Sequence, residues 1–154
     1  MSTITTMSPA AHKQMVQRRG ELMAELFLQG LQPAYLAQST GDFWYDFLVV
    51  FTNPAGGINN FAVEVVATEQ PVKESYRMSA ELMRRCASSN LPVLFLLAEV
   101  KKNHLYYAWP HEHKTQLRRG TSFVTFPVTE INSEPSAKLR KDFMMHGFEQ
   151  AQAA

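Results

Sequence analysis

The sequence predicts a single α/β domain in which a central mixed β-sheet is flanked by helices. Two apolar runs, Trp44–Thr52 and Asn60–Thr68, are separated by the turn-forming segment Asn53–Asn59 and predict a β-hairpin. A later run, Leu91–Val100, is almost continuously apolar, as expected for a strand buried on both faces. A helical pattern lies between the hairpin and this run, which indicates a crossover connection and therefore a mixed sheet covered by helices. A chain of 154 residues can bury such a core as one domain.

Before the hairpin, the sequence predicts a long helix and a short strand. Ser8 can cap a helix and Pro9 is tolerated in its first turn, so the helix is expected to start here and to end near Gly30 or Pro33. Its apolar positions recur at helical spacing: Val16, Leu22, Met23, Leu26 and Phe27. The segment Pro33–Gln38 is predicted to be the first strand.

After the hairpin, helical spacing predicts a second helix over Val72–Ser89, with Tyr76, Ala80, Met83 and Ala87 along one side. The buried run Leu91–Val100 follows, and then a strand over Leu105–Trp109. The remaining predictions are a charged connector over Pro110–Gly120, a short edge strand carrying Ser122, Val124, Phe126, Pro127 and Val128, and a last helix over Pro135–His146.

Composition gives the chain no general attraction to polyanions or membranes. Fifteen basic and fourteen acidic residues leave a net charge of +1. The single Cys86 cannot form an internal disulfide, and no run of about 18 apolar residues is present. We therefore expect a cytoplasmic protein without a membrane partner, whose domain spans residues 1–154 with flexible tails at 1–8 and 148–154.

Two carboxylates stand inside the apolar hairpin strands, where an uncompensated charge is costly. They are Asp46 and Glu64. If Thr52 and Asn59 close the hairpin, Asp46 faces Val65 and lies within one position of Glu64. Cross-strand neighbours are about 5 Å apart, so the hairpin is predicted to bring the two acids together on the sheet.

The order of these motifs resembles the restriction-endonuclease-like fold of the PD-(D/E)xK nuclease superfamily, and in particular small stand-alone bacterial domains of that type. The resemblance covers Gln17–Trp109. Four segments carry it: Arg19–Glu21 at a helix start, Tyr45–Val49 and Glu64–Thr68 on the hairpin, and Leu91–Leu97 on the buried strand.

The resemblance implies a Mg²⁺ site, in which the Asp and the Glu of the E-x-K triplet hold the ion with help from a main-chain carbonyl. Matched position by position, Asp46 and Glu64 are the implied metal ligands, and Glu21, rather than Glu25, is the assisting acid of the first helix. In that superfamily the metal neutralises phosphate charge and lowers the pKa of an attacking water. The triplet's lysine, which orients or deprotonates this water, is replaced by Val66.

The missing lysine leaves two functions open. A valine can neither orient water nor move a proton, and such groups typically contribute about 10²- to 10⁴-fold in rate. The first hypothesis is a catalytically degenerate protein, without a required cofactor, that binds nucleic acid, a protein partner or a second copy of itself. The second is a Mg²⁺-dependent phosphodiesterase in which Lys73, or otherwise Arg77, near the start of the second predicted helix replaces the lysine.

A purely structural interpretation also stands beside each candidate. Asp46 and Glu64 could form structural salt bridges, and Glu21 could pair with Arg18 three positions earlier on the helix. The segment His111–His113 contains two histidines, but a surface loop explains it without a metal, since no further ligand stands at zinc spacing.

Overall fold

Helices and strands follow one another largely as the sequence patterns indicate, in a computed structural model that describes residues 6–41, 43–53, 55–116, 120–131 and 140–145. The elements are α1 (Pro9–Gly30), β1 (Tyr35–Gln38), β2 (Phe47–Thr52), β3 (Ile58–Thr68), β4 (Ser75–Ser79), α2 (Ala80–Ala87), β5 (Val93–Glu99), β6 (His104–Ala108), a 3₁₀ helix (Pro110–Gln116), β7 (Phe123–Pro127) and β8 (Thr129–Glu130).

The predicted mixed sheet is confirmed. Its six strands lie in the order β1-β2-β3-β5-β6-β8. The central pair, β3 and β5, is parallel, and the other pairs are antiparallel. All seven residues of β5 are buried, as the continuous apolar run predicts. The chain therefore forms one α/β domain around β3 and β5.

Helix α1 begins and ends as predicted. The Ala11 amide donates to Ser8 Oγ at 3.1 Å, which caps the first turn. The face that packs on the sheet is rotated from the predicted one, because Leu22 and Leu26 are exposed. The buried positions are Gly20, Ala24, Phe27 and Leu28.

Gly20 shows how closely α1 approaches the sheet. A Cβ atom at this position would lie 2.6 Å from Ala67 Cβ on β3 and 3.2 Å from Ala98 Cβ on β5. Only a residue without a side chain allows the helix to lie at this height. The helix is thereby fixed over the second half of β3.

Apolar clusters cover both faces of the sheet. On one face, Phe61, Val63 and Val65 of β3 pack with α1 and with the helical residues 140–145. On the other face, Val66 packs in a cluster with side chains of β4, α2, β5, β6 and β7. Because successive side chains of a strand point to opposite faces, Glu64 lies on the α2 face.

The predicted hairpin register is wrong by one residue. Thr52 pairs with Ile58 and not with Asn59. Asn53 shortens the loop, since its side-chain Oδ1 accepts from the amides of Ala55 and Gly57 at 3.0 Å each. Residues 44–46, predicted as part of the strand, precede β2, which begins at Phe47.

The predicted second helix is correct only in its C-terminal half. Residues Ser75–Ser79 form β4, which pairs with β7 in a separate two-stranded sheet. Helix α2 starts at Ala80, after Ser79, whose Oγ accepts from the Leu82 amide. Tyr76 is therefore a strand residue, and the predicted edge strand at Phe126 belongs to this small sheet.

The last predictions fall partly outside the described residues. Residues 140–145 are helical, within the predicted helix Pro135–His146. The rest of that helix, residues 1–5 of the first tail and the second tail lie outside the described residues. No described helix combines the length and apolarity that crossing a bilayer requires.

Candidate functional site

The candidate site lies beside the first residue of β2, where the ladder between β2 and β3 ends and β3 continues. The last pair of this ladder is Phe47 with Val63, but β3 runs on to Thr68. Residues 64–68 therefore have no partner strand on this side within the described structure, although they pair with β5 on the other. Their backbone groups need other hydrogen-bond partners.

Asp46 supplies one of these partners. Its amide donates to the Val63 carbonyl at 2.8 Å, and its Oδ2 accepts from the Val65 amide at 2.7 Å. The carboxylate thus replaces a neighbouring strand at this point. The pKa of Asp46 lies above its ordinary value. Burial is the largest cause, the hydrogen bond from Val65 opposes the shift, and the charge of Glu21 adds to it.

Gln17, which the sequence analysis did not single out, supplies the other partners. From α1, its Nε2 donates to the Val65 carbonyl at 3.0 Å and its Oε1 accepts from the Ala67 amide at 3.3 Å. A primary amide has both a donor and an acceptor, which a strand edge requires. The Val65 carbonyl lies between the ends of the predicted triplet, so Gln17 occupies part of its accepting capacity.

Glu64 is the most perturbed acid of the site. Its Oε2 is buried and, among the described residues, has no hydrogen-bond partner. Burial, followed by the charge of Asp46, raises the pKa of Glu64 to about 8, while Arg85 opposes the shift and Glu21 adds to it. At neutral pH the side chain is therefore mainly the uncharged acid.

The predicted acids thus fall within electrostatic range of one another. Glu21 acts on both Asp46 and Glu64 and pairs with Arg18 at 3.5 Å, the contact that the structural interpretation anticipated.

Arg85 brings a cation to this site that no sequence pattern predicted. It stands on α2, on the face of the sheet that Glu64 also occupies, and its charge lowers the pKa of Glu64. Its guanidinium is half exposed and lies 3.9 Å from the carboxylate of Glu81. A helical residue 21 positions after Glu64 has no local pattern that links it to that strand.

The position of the missing lysine is apolar. Val66 packs against the cluster that contains Met83, Phe95 and Tyr106. An ammonium group here would have to be withdrawn from water among these side chains.

Neither predicted substitute for this lysine lies on the second helix. Lys73 precedes β4 and lines a cavity with Tyr106 and Glu130, so its predicted place at a helix start is wrong. Arg77 is a β4 residue whose guanidinium lies 4.4 Å from the ring centre of Phe123.

The donor atoms of the site suit one weakly held divalent cation. Mg²⁺ usually takes one or two carboxylates in proteins and keeps several waters. Asp46 and Glu64 are two carboxyl groups within electrostatic range of each other, and Oε2 of Glu64 is buried without a hydrogen bond in the described part of the chain. Among the described residues, no three His, Cys, Asp or Glu side chains converge to hold a metal. That includes His111 and His113, whose rings pack on Trp109 and Phe126.

The fold is similar to that of a known nuclease. Among solved structures, the chain is similar to a bacterial homing endonuclease, I-Ssp6803I, with a TM-score of 0.50 and 12% sequence identity over 97% of this chain and 100% of that one. At this identity the similarity shows the fold alone. No protein-family model and no curated protein sequence matches the chain.

Proposed function

We propose that this protein is a catalytically degenerate relative of the PD-(D/E)xK nucleases that binds nucleic acid without cutting it. The nuclease-like fold supports the relationship, and the apolar packing of Val66 carries the proposal that catalysis is lost. A lysine at this position would orient or deprotonate water beside Glu64. The valine at position 66 has no ammonium group, and its packed side chain occupies the position where that group would lie.

The charges of the site favour binding of a phosphate group over cleavage. With Glu64 protonated, the site carries one negative charge fewer, while Arg85 acts on Glu64 and Arg18 pairs with Glu21. A phosphodiester would therefore meet less negative charge than a site with Glu64 ionised would present. The protonated Glu64 can also donate a hydrogen bond to a phosphate oxygen, which a carboxylate cannot do.

The test is a pair of measurements on the full chain, made with labelled DNA and RNA oligonucleotides. We expect fluorescence anisotropy to detect binding at pH 7 in EDTA, and gels to show no cleavage with Mg²⁺ or Mn²⁺. Binding is expected to weaken about 3- to 30-fold in Arg85→Ala, since one charge-assisted contact is lost. Lys101→Ala, which removes one charge from the β5–β6 turn, is the matched control and should bind normally.

Two outcomes would overturn the proposal. One is the absence of binding to any oligonucleotide. The other is metal-dependent cleavage that Asp46→Ala abolishes.

A second candidate function, a metal-dependent phosphodiesterase, is favoured by the unpartnered oxygen of Glu64. Asp46 and Glu64 would hold Mg²⁺, which supplies phosphate neutralisation and an acidified water when bound. Glu21 would hold Arg18 beside the site, and Arg85 would take the place that the sequence assigns to Lys73.

The two candidates differ in their response to pH. A cation must displace the proton of Glu64, so Mg²⁺ affinity should rise from pH 7 to pH 9, whereas phosphate binding should fall. Calorimetric titration with Mg²⁺ at both pH values, with Glu64→Gln as control, distinguishes them.

A further inference from the structure

A small aromatic stack stands immediately before Asp46. The rings of Phe43 and Tyr45 are stacked, with centres 5.4 Å apart and planes 20° apart. Trp44 meets Tyr45 edge-on at 5.5 Å. Phe43 is 59% exposed, although it is one of the large apolar side chains. The stack therefore presents an aromatic ring to solvent three positions before Asp46 in the chain.

Two residues of the stack pack against the buried core. Trp44 and Tyr45 pack against a buried cluster of Ala62, Cys86 and Val93, in which Cys86 comes from α2. Arg85 precedes Cys86 on the same helix and acts on Glu64. Packing against this cluster thus places the stack on the α2 face of β3, the face that also carries Glu64 and Arg85.

We infer that Phe43, stacked on Tyr45, receives an unpaired nucleobase while Arg85 binds the adjoining phosphate, so that the ligand is single-stranded nucleic acid. This inference rests on the proposed function and names its substrate class. An apolar ring alone would also suit a protein partner. The half-exposed guanidinium of Arg85 on the same face favours a ligand that is both aromatic and anionic.

Single strands fit this arrangement better than duplexes. In a duplex both faces of each internal base are covered by its neighbours, whereas an unpaired base can stack on a protein ring. Such stacking contributes about 1–3 kcal/mol per base and depends little on sequence. We therefore expect weak sequence preference, with binding of both single-stranded DNA and single-stranded RNA.

The experiment compares a labelled 12-nucleotide single strand with the blunt duplex of the same sequence, as DNA and as RNA, at pH 7 in EDTA. We expect the single strands to bind at least 10-fold more tightly. Phe43→Leu keeps an apolar side chain but removes the flat ring, and should weaken single-strand binding about 5- to 100-fold. Phe43→Trp should retain it. Tyr35→Ala removes an equally exposed aromatic side chain from β1 and is the matched control.

The outcomes separate this inference from the proposed function. If binding depends on Arg85 but not on Phe43, or if duplexes bind as tightly as single strands, the inference fails and the proposed function stands. If no oligonucleotide binds, both fail.

Discussion

At the scale of single residues, the protonation of Glu64 is the property with the most consequences. Its pKa is raised mainly by burial, and only secondarily by the neighbouring Asp46. The folded protein therefore holds a proton that the unfolded chain releases at much lower pH. This links the candidate site to the stability of the domain.

The free energy of unfolding should fall as pH rises from about 5 to about 8. The folded-state pKa of about 8 exceeds the ordinary value of 4.5, so the stability that the proton contributes is fully present below 4.5 and is lost as pH rises through 8. The full shift would correspond to about 5 kcal/mol, which partial exposure reduces to roughly 1–3 kcal/mol.

Urea unfolding of the wild type and of Glu64→Gln at pH 6 and pH 9 measures this effect. The glutamine variant cannot ionise and should lose less stability between the two pH values. Glu81→Gln, at a highly exposed helix position, is the control and should follow the wild type. Equal losses in wild type and Glu64→Gln would show that Glu64 does not carry the proton.

At the scale of elements, α1 completes the edge of β3 through one side chain. Gln17 satisfies the Val65 carbonyl and the Ala67 amide, and Gly20 allows the helix to approach closely enough for this contact. The helix and the strand are thus joined by polar contacts as well as by the apolar core.

Gln17→Ala should lower the free energy of unfolding by about 1–3 kcal/mol, because it leaves two backbone groups without partners. Gln17→Glu should be at least as damaging. A carboxylate can accept from Ala67 but faces the Val65 carbonyl without a proton to donate, and it adds charge near Asp46. Chemical denaturation measures both, with Gln29→Ala at an exposed position of the same helix as control. Unchanged stability in both variants would contradict this role for Gln17.

The predictions for the elements succeeded where the pattern is local. Ser8 and Pro9 mark a helix start, and the unbroken apolar run of β5 marks a buried strand. The second helix was misjudged because Tyr76 and Met83 happen to keep helical spacing, whereas Ser75–Ser79 pairs with a strand almost 50 residues later. Such a partner leaves no signal within the segment, although Ser79 itself is a visible cap.

The candidate site was predictable only where its residues follow a local pattern. The hairpin brings Asp46 near Glu64, and alternation along the strands made that foreseeable despite a register wrong by one residue. Gln17 and Arg85 reach the site from helices that pack on opposite faces of the sheet. Their contribution depends on how those helices are docked, which spacing along the chain does not specify.

At the scale of the whole molecule, the net charge of +1 limits how strongly nucleic acid can be attracted. Binding must depend on a few local contacts rather than on a broad basic surface. The salt dependence of binding reports how many phosphates are contacted.

We expect a shallow dependence. If Arg18 and Arg85 each neutralise one phosphate of a single strand, the slope of log K against log salt concentration should be about −1 to −2. Anisotropy titrations between 50 and 200 mM salt measure it, and Arg85→Ala should make the slope shallower by about 0.7. A slope steeper than about −4 would indicate an extended basic surface that this proposal does not contain.

The ladder between β2 and β3 ends at Phe47 and Val63, and this has a consequence for how the protein behaves at high concentration. Unpaired backbone at the edge of a sheet can recruit a strand from another molecule and so begin aggregation. Here the carboxylate of Asp46 and the amide of Gln17 close that edge. Undocking of α1 would remove the Gln17 contacts and expose this edge, so we expect weaker docking of the first helix to favour aggregation.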